Sequence, residues 1–223
     1  MHKSTSMNST VGRRHSVVVA GLLFAACGDS DDDSHRIRFD HLEVGQHVTY
    51  AVASGEYHTS SGSSGEFSYF GATLVMEVSG HDDNGYRVSE VYTSGDEVVS
   101  GEYYLRTEQN KLHVLPGAGV AGSQLFYFRR EYFLPLAEIA APVLGSIGLP
   151  TTPTNSDYSE ATIVGGELLG VPYPHLNAVV DKTLIPGDGP ASMWIYSATH
   201  GVVRAVHCGV ESMRCIAFDV QPE

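Results

Sequence analysis

The sequence predicts an all-β protein: one antiparallel sheet, strongly curved or closed into a barrel or half-barrel, behind a cleaved N-terminal segment. Past residue 34, short alternating runs rich in aromatic and β-branched residues recur, with no 3.6-residue period. Gly, Asn, Asp and Pro separate these runs closely, so that most neighbouring strands connect as hairpins. The chain has 24 Gly and 12 Tyr in 223 residues, a composition that favours sheet and turns.

The N-terminal segment has the pattern of a secretory signal. Residues 1–26 contain Lys3, Arg13 and Arg14 and no acidic residue, and residues 17–26 (VVVAGLLFAA) form an uncharged apolar run. A basic start, a short apolar stretch and small residues before a cleavage site define such signals. The run is shorter than the roughly 20 residues that a transmembrane helix needs. We therefore expect residues 1–26 to be removed on export.

The cleavage site resembles a known signal. Residues 23–27 (LFAAC) resemble the lipobox of bacterial lipoprotein precursors. The resemblance implies that Cys27 is acylated, becomes the new N-terminus and anchors the protein to a membrane, stably if it carries two or more chains. In such lipoproteins, Asp directly after the cysteine tends to retain the protein in the inner membrane. Gly28 stands at that position here, so the resemblance implies that the protein is anchored in the outer membrane. Residues 27–34 would then be an acidic tether. A plain secretory signal with an incidental cysteine is the alternative.

We expect residues 35–223 to form a single domain. The candidate strands are 36–40, 46–54, 66–79, 86–94, 101–107, 111–115, 124–130, 158–165, 176–185, 192–197, 201–208 and 214–220. Residues 134–157 contain four prolines and no period, which indicates a long crossing connection.

Two predicted hairpins can be aligned so that opposite charges and apolar side chains face each other. Such cross-strand pairs contribute roughly 0.2–1 kcal/mol each. A turn at Asn84-Gly85, the preferred pair for a type I′ turn, defines the first hairpin, and a turn at Gln109-Asn110 defines the second. The predicted pairs are Asp82–Arg87, Val78–Val91, Glu108–Lys111 and Leu105–Val114.

A third hairpin contains both remaining cysteines. If Cys208 faces Cys215, the same register places Arg204 opposite Asp219. The register brings the two cysteines face to face, and an exported chain reaches an oxidising compartment. Together these two points predict a Cys208–Cys215 disulfide. Free thiols are one alternative. A redox pair or a metal site that includes His207 is the other, although the spacing is not CxxC and the ligands fall short of four.

The sequence contains few patterns typical of catalysis, metal binding or nucleic-acid binding. The net charge of −13, from 26 acidic and 13 basic residues, argues against general nucleic-acid binding. No GxSxG, HExxH, HxH or P-loop pattern is present, and the histidines are scattered. We therefore predict no catalytic residue, no metal ligand and no cofactor, and expect a protein that is not an enzyme. The sequence leaves open that the fold brings two carboxylates together to act as a general acid and a general base.

The most informative apolar feature is the run 125–128 (LFYF), which offers large side chains to both faces of the predicted strand 124–130. Either this strand is central and covered by the proline-rich connection, or its inner face lines a cavity for an apolar ligand. In the second case Phe126 and Phe128 would contact that ligand.

Three further stretches resemble a recurring pattern of bacterial lipoproteins: 45–50 (GQHVTY), 170–180 (GVPYPHLNAVV) and 194–204 (WIYSATHGVVR). Such proteins are mostly uncharacterised all-β envelope proteins, sometimes compared with half-barrel lipoprotein carriers. The resemblance implies the fold and an envelope location, and it supplies no reaction. Our leading hypothesis is a lipid-anchored, non-enzymatic envelope lipoprotein that binds an apolar small molecule, a lipid or a protein partner through its concave face or loops. The alternatives are a structural or assembly subunit without a ligand cavity, and a hydrolase whose catalytic residues are dispersed.

Overall fold

The structure is a computed structural model that describes residues 33–58, 63–64, 67–117, 123–126, 132–137, 143–144, 161–181, 192–208 and 214–222. All of them belong to one compact unit, Asp32–Glu223. The predicted signal segment, residues 1–26, and Cys27 lie outside the described residues, as does Phe128. In the described part of the chain, no helix is long and apolar enough to cross a membrane.

The described chain is all-β, as predicted. A short 3₁₀ turn (Asp33–His35) precedes the strands. These are β1 (His47–His58), β2 (Ser63–Ser64), β3 (Ser68–Asp82), β4 (Gly85–Ser94), β5 (Glu97–Glu108), β6 (Lys111–Pro116), β7 (Tyr132–Pro135), β8 (Val143–Leu144), β9 (Ala161–Leu168), β10 (Val171–Asp181), β11 (Ser192–Ser197), β12 (Gly201–Cys208) and β13 (Arg214–Val220).

The sheet grows in two directions from β1. Strands β3 to β7 add on one side in chain order, and β13 to β9 add on the other side in reverse order, so the last strand pairs with the first. Eleven antiparallel strands thus form one strongly curled half-barrel, with β8 parallel to β9 at one edge and β2 paired only with β1. We call β3–β6 the first meander and β9–β13 the second meander.

Polar contacts show how far the sheet curls. The Tyr196 hydroxyl on β11 donates to the Pro135 carbonyl of edge strand β7 at 2.9 Å. The Asn177 side chain on β10 donates to the Pro135 and Ala137 carbonyls, both at 3.2 Å. Edge strand β7 therefore lies against the second meander.

The concave face, which carries Trp194, holds the larger core. Side chains of both meanders meet there in one cluster that includes Leu74, Met76, Val88, Tyr103, Leu105, Leu112, Val114, Trp194, Ala205 and Phe218. The two outer faces differ. On β3 the burial alternates, with exposed outward residues, whereas β11 is buried on both faces and contributes Met193 and Ile195 to a second cluster.

The predicted strand 36–40 is wrong. These residues bend across one end of the half-barrel, and Ile37 and Phe39 are buried in the concave core. The Phe39 N–H donates to the Ala198 carbonyl at 2.8 Å, and the Thr107 hydroxyl donates to the Phe39 carbonyl at 3.0 Å. Because turn and side-chain groups satisfy this backbone, the alternating pattern produces a cap and not a strand.

Of the two turn-based registers, the second is confirmed: Glu108 faces Lys111, and Leu105 faces Val114. The first is wrong. The turn lies at Asp83-Asn84, where Asp82 Oδ1 accepts the Asn84 N–H at 2.7 Å, and Asp82 pairs with Gly85.

Gly85 explains the shift in the first hairpin. It is the first residue of β4 with φ +120°, and a Cβ there would lie 2.6 Å from the Leu105 carbonyl oxygen. A bulge between Val78 and Gly80 shifts the register again. The pairs that form are therefore Gly80–Arg87 and Val75–Val91.

The predicted strand 124–130 is also wrong in its described part, because residues 124–126 form a turn. Two predicted strands differ at their described ends: β9 continues to Leu168, past the predicted end at 165, and β10 begins at Val171, before the predicted start at 176. Two short strands, β7 and β8, were not predicted: β8 lies within the predicted connection 134–157, and β7 overlaps its start. β7 tolerates Pro135 because it is an edge strand of the sheet.

Candidate functional site

The centre of the concave face is covered by the turn Ser123–Phe126, which we call the inner turn. Leu125 and Phe126 are both fully buried. The Phe126 ring lies 5.5 Å from the Tyr103 ring on β5, edge-on, and 6.0 Å from the Trp194 ring on β11, stacked. The inner turn therefore packs between the first and the second meander.

Glu90 attaches the inner turn to the first meander. It is only 1% exposed, on the concave face of β4. Its Oε1 accepts the Ser123 hydroxyl at 2.6 Å and its Oε2 accepts the Gln124 N–H at 2.7 Å. Burial raises the pKa of the Glu90 carboxyl, and hydrogen bonds from Ser123, Gln124, Tyr103 and the Leu125 N–H act in the opposite direction.

Two side chains of the second meander bond to one backbone carbonyl of the inner turn. The Leu125 carbonyl oxygen accepts the Trp194 Nε1–H at 2.9 Å and lies 2.8 Å from His207 Nε2. The Ser192 hydroxyl lies 2.9 Å from His207 Nδ1. A carbonyl can only accept, so these partners assign the proton to Nε2, and Ser192 donates to Nδ1.

The histidine is held in its neutral form. Burial lowers the pKa of His207 to about 4, with the bond to the Leu125 carbonyl acting in the opposite direction. Ser192 and His207 form a hydroxyl–imidazole pair, but Ser192 is 2% exposed and both His207 nitrogens contact protein atoms. In this arrangement the pair positions the inner turn. Within the described residues, no three His, Cys, Asp or Glu side chains lie close enough to hold a metal ion.

The predicted disulfide is confirmed. Cys208 and Cys215 are bonded and face each other across β12 and β13, and the same register pairs Arg204 with Asp219, as predicted.

The charge pair beside the disulfide is buried on the outer face. Arg204 Nε lies 2.9 Å from Asp219 Oδ1, and the Tyr69 hydroxyl donates to Asp219 Oδ2 at 2.7 Å. The Arg204 guanidinium lies 5.2 Å from the Phe67 ring centroid. Burial raises the pKa of Asp219, and Arg204 and Tyr69 counteract it.

Of the other predicted site residues, the structure describes Phe126 but not Cys27 or Phe128. Phe126 is fully buried at the centre of the concave face, so its role as a ligand contact stays a prediction. Cys27 and Phe128 lie outside the described residues. The sequence did not single out Glu90 or Trp194. In strand 86–94, however, the alternation Val88, Glu90, Tyr92 puts a carboxylate on the apolar face, a signal that could have found Glu90.

A second surface lies on the outside of the first meander. Val75, Val91 and Val98 are 38%, 39% and 63% exposed. Val75 faces Val91 across β3 and β4, and Val98 faces Thr93, two residues along β4 from Val91. We call these three residues the outer patch.

No protein-family model, no curated protein and no solved structure matches this chain.

Proposed function

We propose that this protein is a non-enzymatic, lipid-anchored lipoprotein of the bacterial envelope that binds an apolar small molecule or a protein partner on its concave face. The anchor is supported by the signal pattern of residues 1–26 and by the lipobox-like 23–27. The binding role is supported by the half-barrel, whose concave face gathers large aromatic side chains from both meanders.

One observation carries the binding proposal: a four-residue turn covers the centre of that face. Hydrogen bonds with Glu90, Trp194 and His207 join the inner turn to the sheet, and none of these bonds belongs to a ladder between two strands. The ladders on either side, between β4 and β5 and between β11 and β12, form without it. The inner turn can therefore leave while the sheet stays intact, which would offer Tyr103, Trp194 and their neighbours to a ligand.

Native mass spectrometry of protein extracted gently from its own cells tests the anchor. We expect a mature chain that begins at Cys27 with the added mass of acyl chains, together with an intact disulfide. Cys27→Ser is the control and should lack the acyl mass. A wild-type mature chain without acyl mass would overturn the anchoring proposal.

Emission from Trp194, the single tryptophan, tests the concave site. An apolar fluorescent probe, N-phenyl-1-naphthylamine, should quench Trp194 saturably. Phe126→Ala opens space beside the indole and should strengthen probe binding about tenfold, a change of about 1.4 kcal/mol. Val98→Ala, on the outer patch, should leave probe binding unchanged. If the probe binds neither the wild type nor Phe126→Ala, the concave face does not bind an apolar small molecule.

The outer patch favours a second candidate, an assembly subunit that contacts an envelope protein through the outside of the first meander. Adjacent exposed valines on a sheet surface suit a protein contact. Val91→Lys should then remove a co-extracted partner mass from the native mass spectrum, whereas Phe126→Ala should retain it. Identical spectra for wild type and Val91→Lys would refute this candidate.

A further inference from the structure

We infer that the partner bound on the concave face is a peptide segment, and that the inner turn occupies its place within the same chain. This inference rests on the proposed concave-face function and names the class of partner. It follows from the polar groups that the sheet presents to the inner turn, which match the main chain of a peptide.

The first of these groups is the Glu90 carboxylate. Whatever replaces the inner turn must supply donors to it, because a buried carboxylate without hydrogen bonds is strongly unfavourable. The inner turn supplies the Ser123 hydroxyl and the Gln124 N–H, at 2.6 and 2.7 Å. A hydrocarbon chain has no donors, and a fatty acid would bring a second negative charge beside the first.

The second group is a pair of donors on the opposite wall. Trp194 Nε1 and His207 Nε2 converge on one carbonyl oxygen, that of Leu125, at 2.9 and 2.8 Å. The site therefore accepts an N–H at one position and donates to a C=O one residue later. Every peptide main chain carries an N–H and a C=O at this spacing, because each non-proline residue has one of each.

Side chains of the inner turn define what the segment would contain. The Ser123 hydroxyl also accepts the Phe126 N–H at 2.9 Å, so a hydroxyl residue at the first position closes the turn. Gln124 is partly exposed, and its side chain is not selected. Leu125 and Phe126 are fully buried, and Phe126 stacks on Trp194. The recognised pattern is a hydroxyl residue, any residue, leucine, then an aromatic residue.

The test uses the mature full-length chain carrying Ser123→Ala and Phe126→Ala, which weaken the inner turn. The ligand is an acetylated and amidated peptide of residues 121–128 (AGSQLFYF), and the control peptide has Ala at the two positions that match Leu125 and Phe126. Trp194 emission reports binding. We expect saturable binding at least tenfold tighter for AGSQLFYF than for the control. Adding Glu90→Gln should weaken it at least tenfold, because an NH2 group, which cannot accept, replaces one of the two carboxylate oxygens that each accept a donor.

Two results would overturn the inference. The first is equal binding of both peptides, and the second is no peptide binding while N-phenyl-1-naphthylamine still quenches Trp194. The second result leaves the proposed concave site in place and rejects only the peptide. Absence of binding by probe and peptides alike would reject both proposals. If the double variant loses its circular dichroism spectrum, the same peptides are titrated into the wild-type chain, where displacement of the inner turn gives the same ranking.

Discussion

The first and second meanders belong to one sheet but bury different amounts of it. The first covers only its concave face, and its outer face carries the exposed valines of the outer patch. The second is buried on both faces along β11 and most of β12, so that even a charged pair, Arg204 and Asp219, is enclosed. An outward side chain in the first meander therefore contacts solvent, whereas an outward side chain in the middle of the second meander packs against other protein groups.

The largest expected effect comes from breaking the enclosed pair. Arg204→Met leaves Asp219, whose side chain is 0% exposed, without its cation. The cost should be about 3–5 kcal/mol of unfolding free energy in urea. Arg106→Met is the matched change in the first meander, where Arg106 and Glu108 are 45% and 53% exposed, and should cost less than about 1 kcal/mol. Equal costs would show that the two outer faces are not different.

The disulfide should contribute the next largest effect. Replacing Cys208 and Cys215 by Ser removes a bond that spans seven positions of the chain. The loss should be roughly 2–3 kcal/mol on the chain-entropy account. Urea unfolding of wild type and double variant, both without reductant, measures it. A difference below about 0.5 kcal/mol would mean that the β12–β13 register holds the hairpin closed without the bond.

Truncating one valine on each outer face gives a smaller contrast. Val206 is 1% exposed in the second meander, and Val91 is 39% exposed in the first. Val206→Ala should cost about 2 kcal/mol, from two buried methyl groups and the space they leave. Val91→Ala should stay within about 0.5 kcal/mol. A costly Val91→Ala change would indicate that the outer patch is covered in the free protein.

The smallest effects are slopes of stability with pH, at most about 1.4 kcal/mol per pH unit for one group. His207 has a folded pKa of about 4 against an ordinary 6.5, so its contribution is present above pH 6.5 and is lost as the pH falls towards 4. The Glu90 pKa is raised above 4.5, so its contribution is present below pH 4.5 and is lost as the pH rises.

Urea unfolding between pH 4 and 7 checks both signs. His207→Gln should lose less stability than wild type as the pH falls from 6.5. Glu90→Gln should lose less stability than wild type as the pH rises from 4.5. Parallel curves for either variant and wild type would mean that the group does not titrate inside the fold.

The sequence predicted the second meander best where several constraints agreed. The disulfide and the Arg204–Asp219 pair select one register, and the structure has it. The Asn84-Gly85 prediction failed because a side-chain cap from Asp82 and a bulge compete with the preferred dipeptide. The cap is local, since Asp82 bonds the backbone two residues further on, but no local residue pattern marks the bulge.

The inner turn was beyond sequence reasoning for a different reason. A run of large apolar residues satisfies the pattern of a strand, and Leu125 and Phe126 are indeed buried. Their backbone groups, however, bond to Glu90, Trp194 and His207, residues that lie between 34 and 82 positions away. Such bonds exist only after the sheet has curled, so no local pattern records them.

The most direct test of the central claim, that the inner turn can leave an intact sheet, is native-state hydrogen exchange of the Gln124 amide, which is bonded to Glu90 Oε2. The Val88 amide within β4 serves as the reference. We expect Gln124 to exchange through a local opening at least about 2 kcal/mol below the free energy of global unfolding, while Val88 exchanges near the global value. Exchange of both amides at the global value would contradict the account, because the inner turn would then leave only when the whole sheet unfolds.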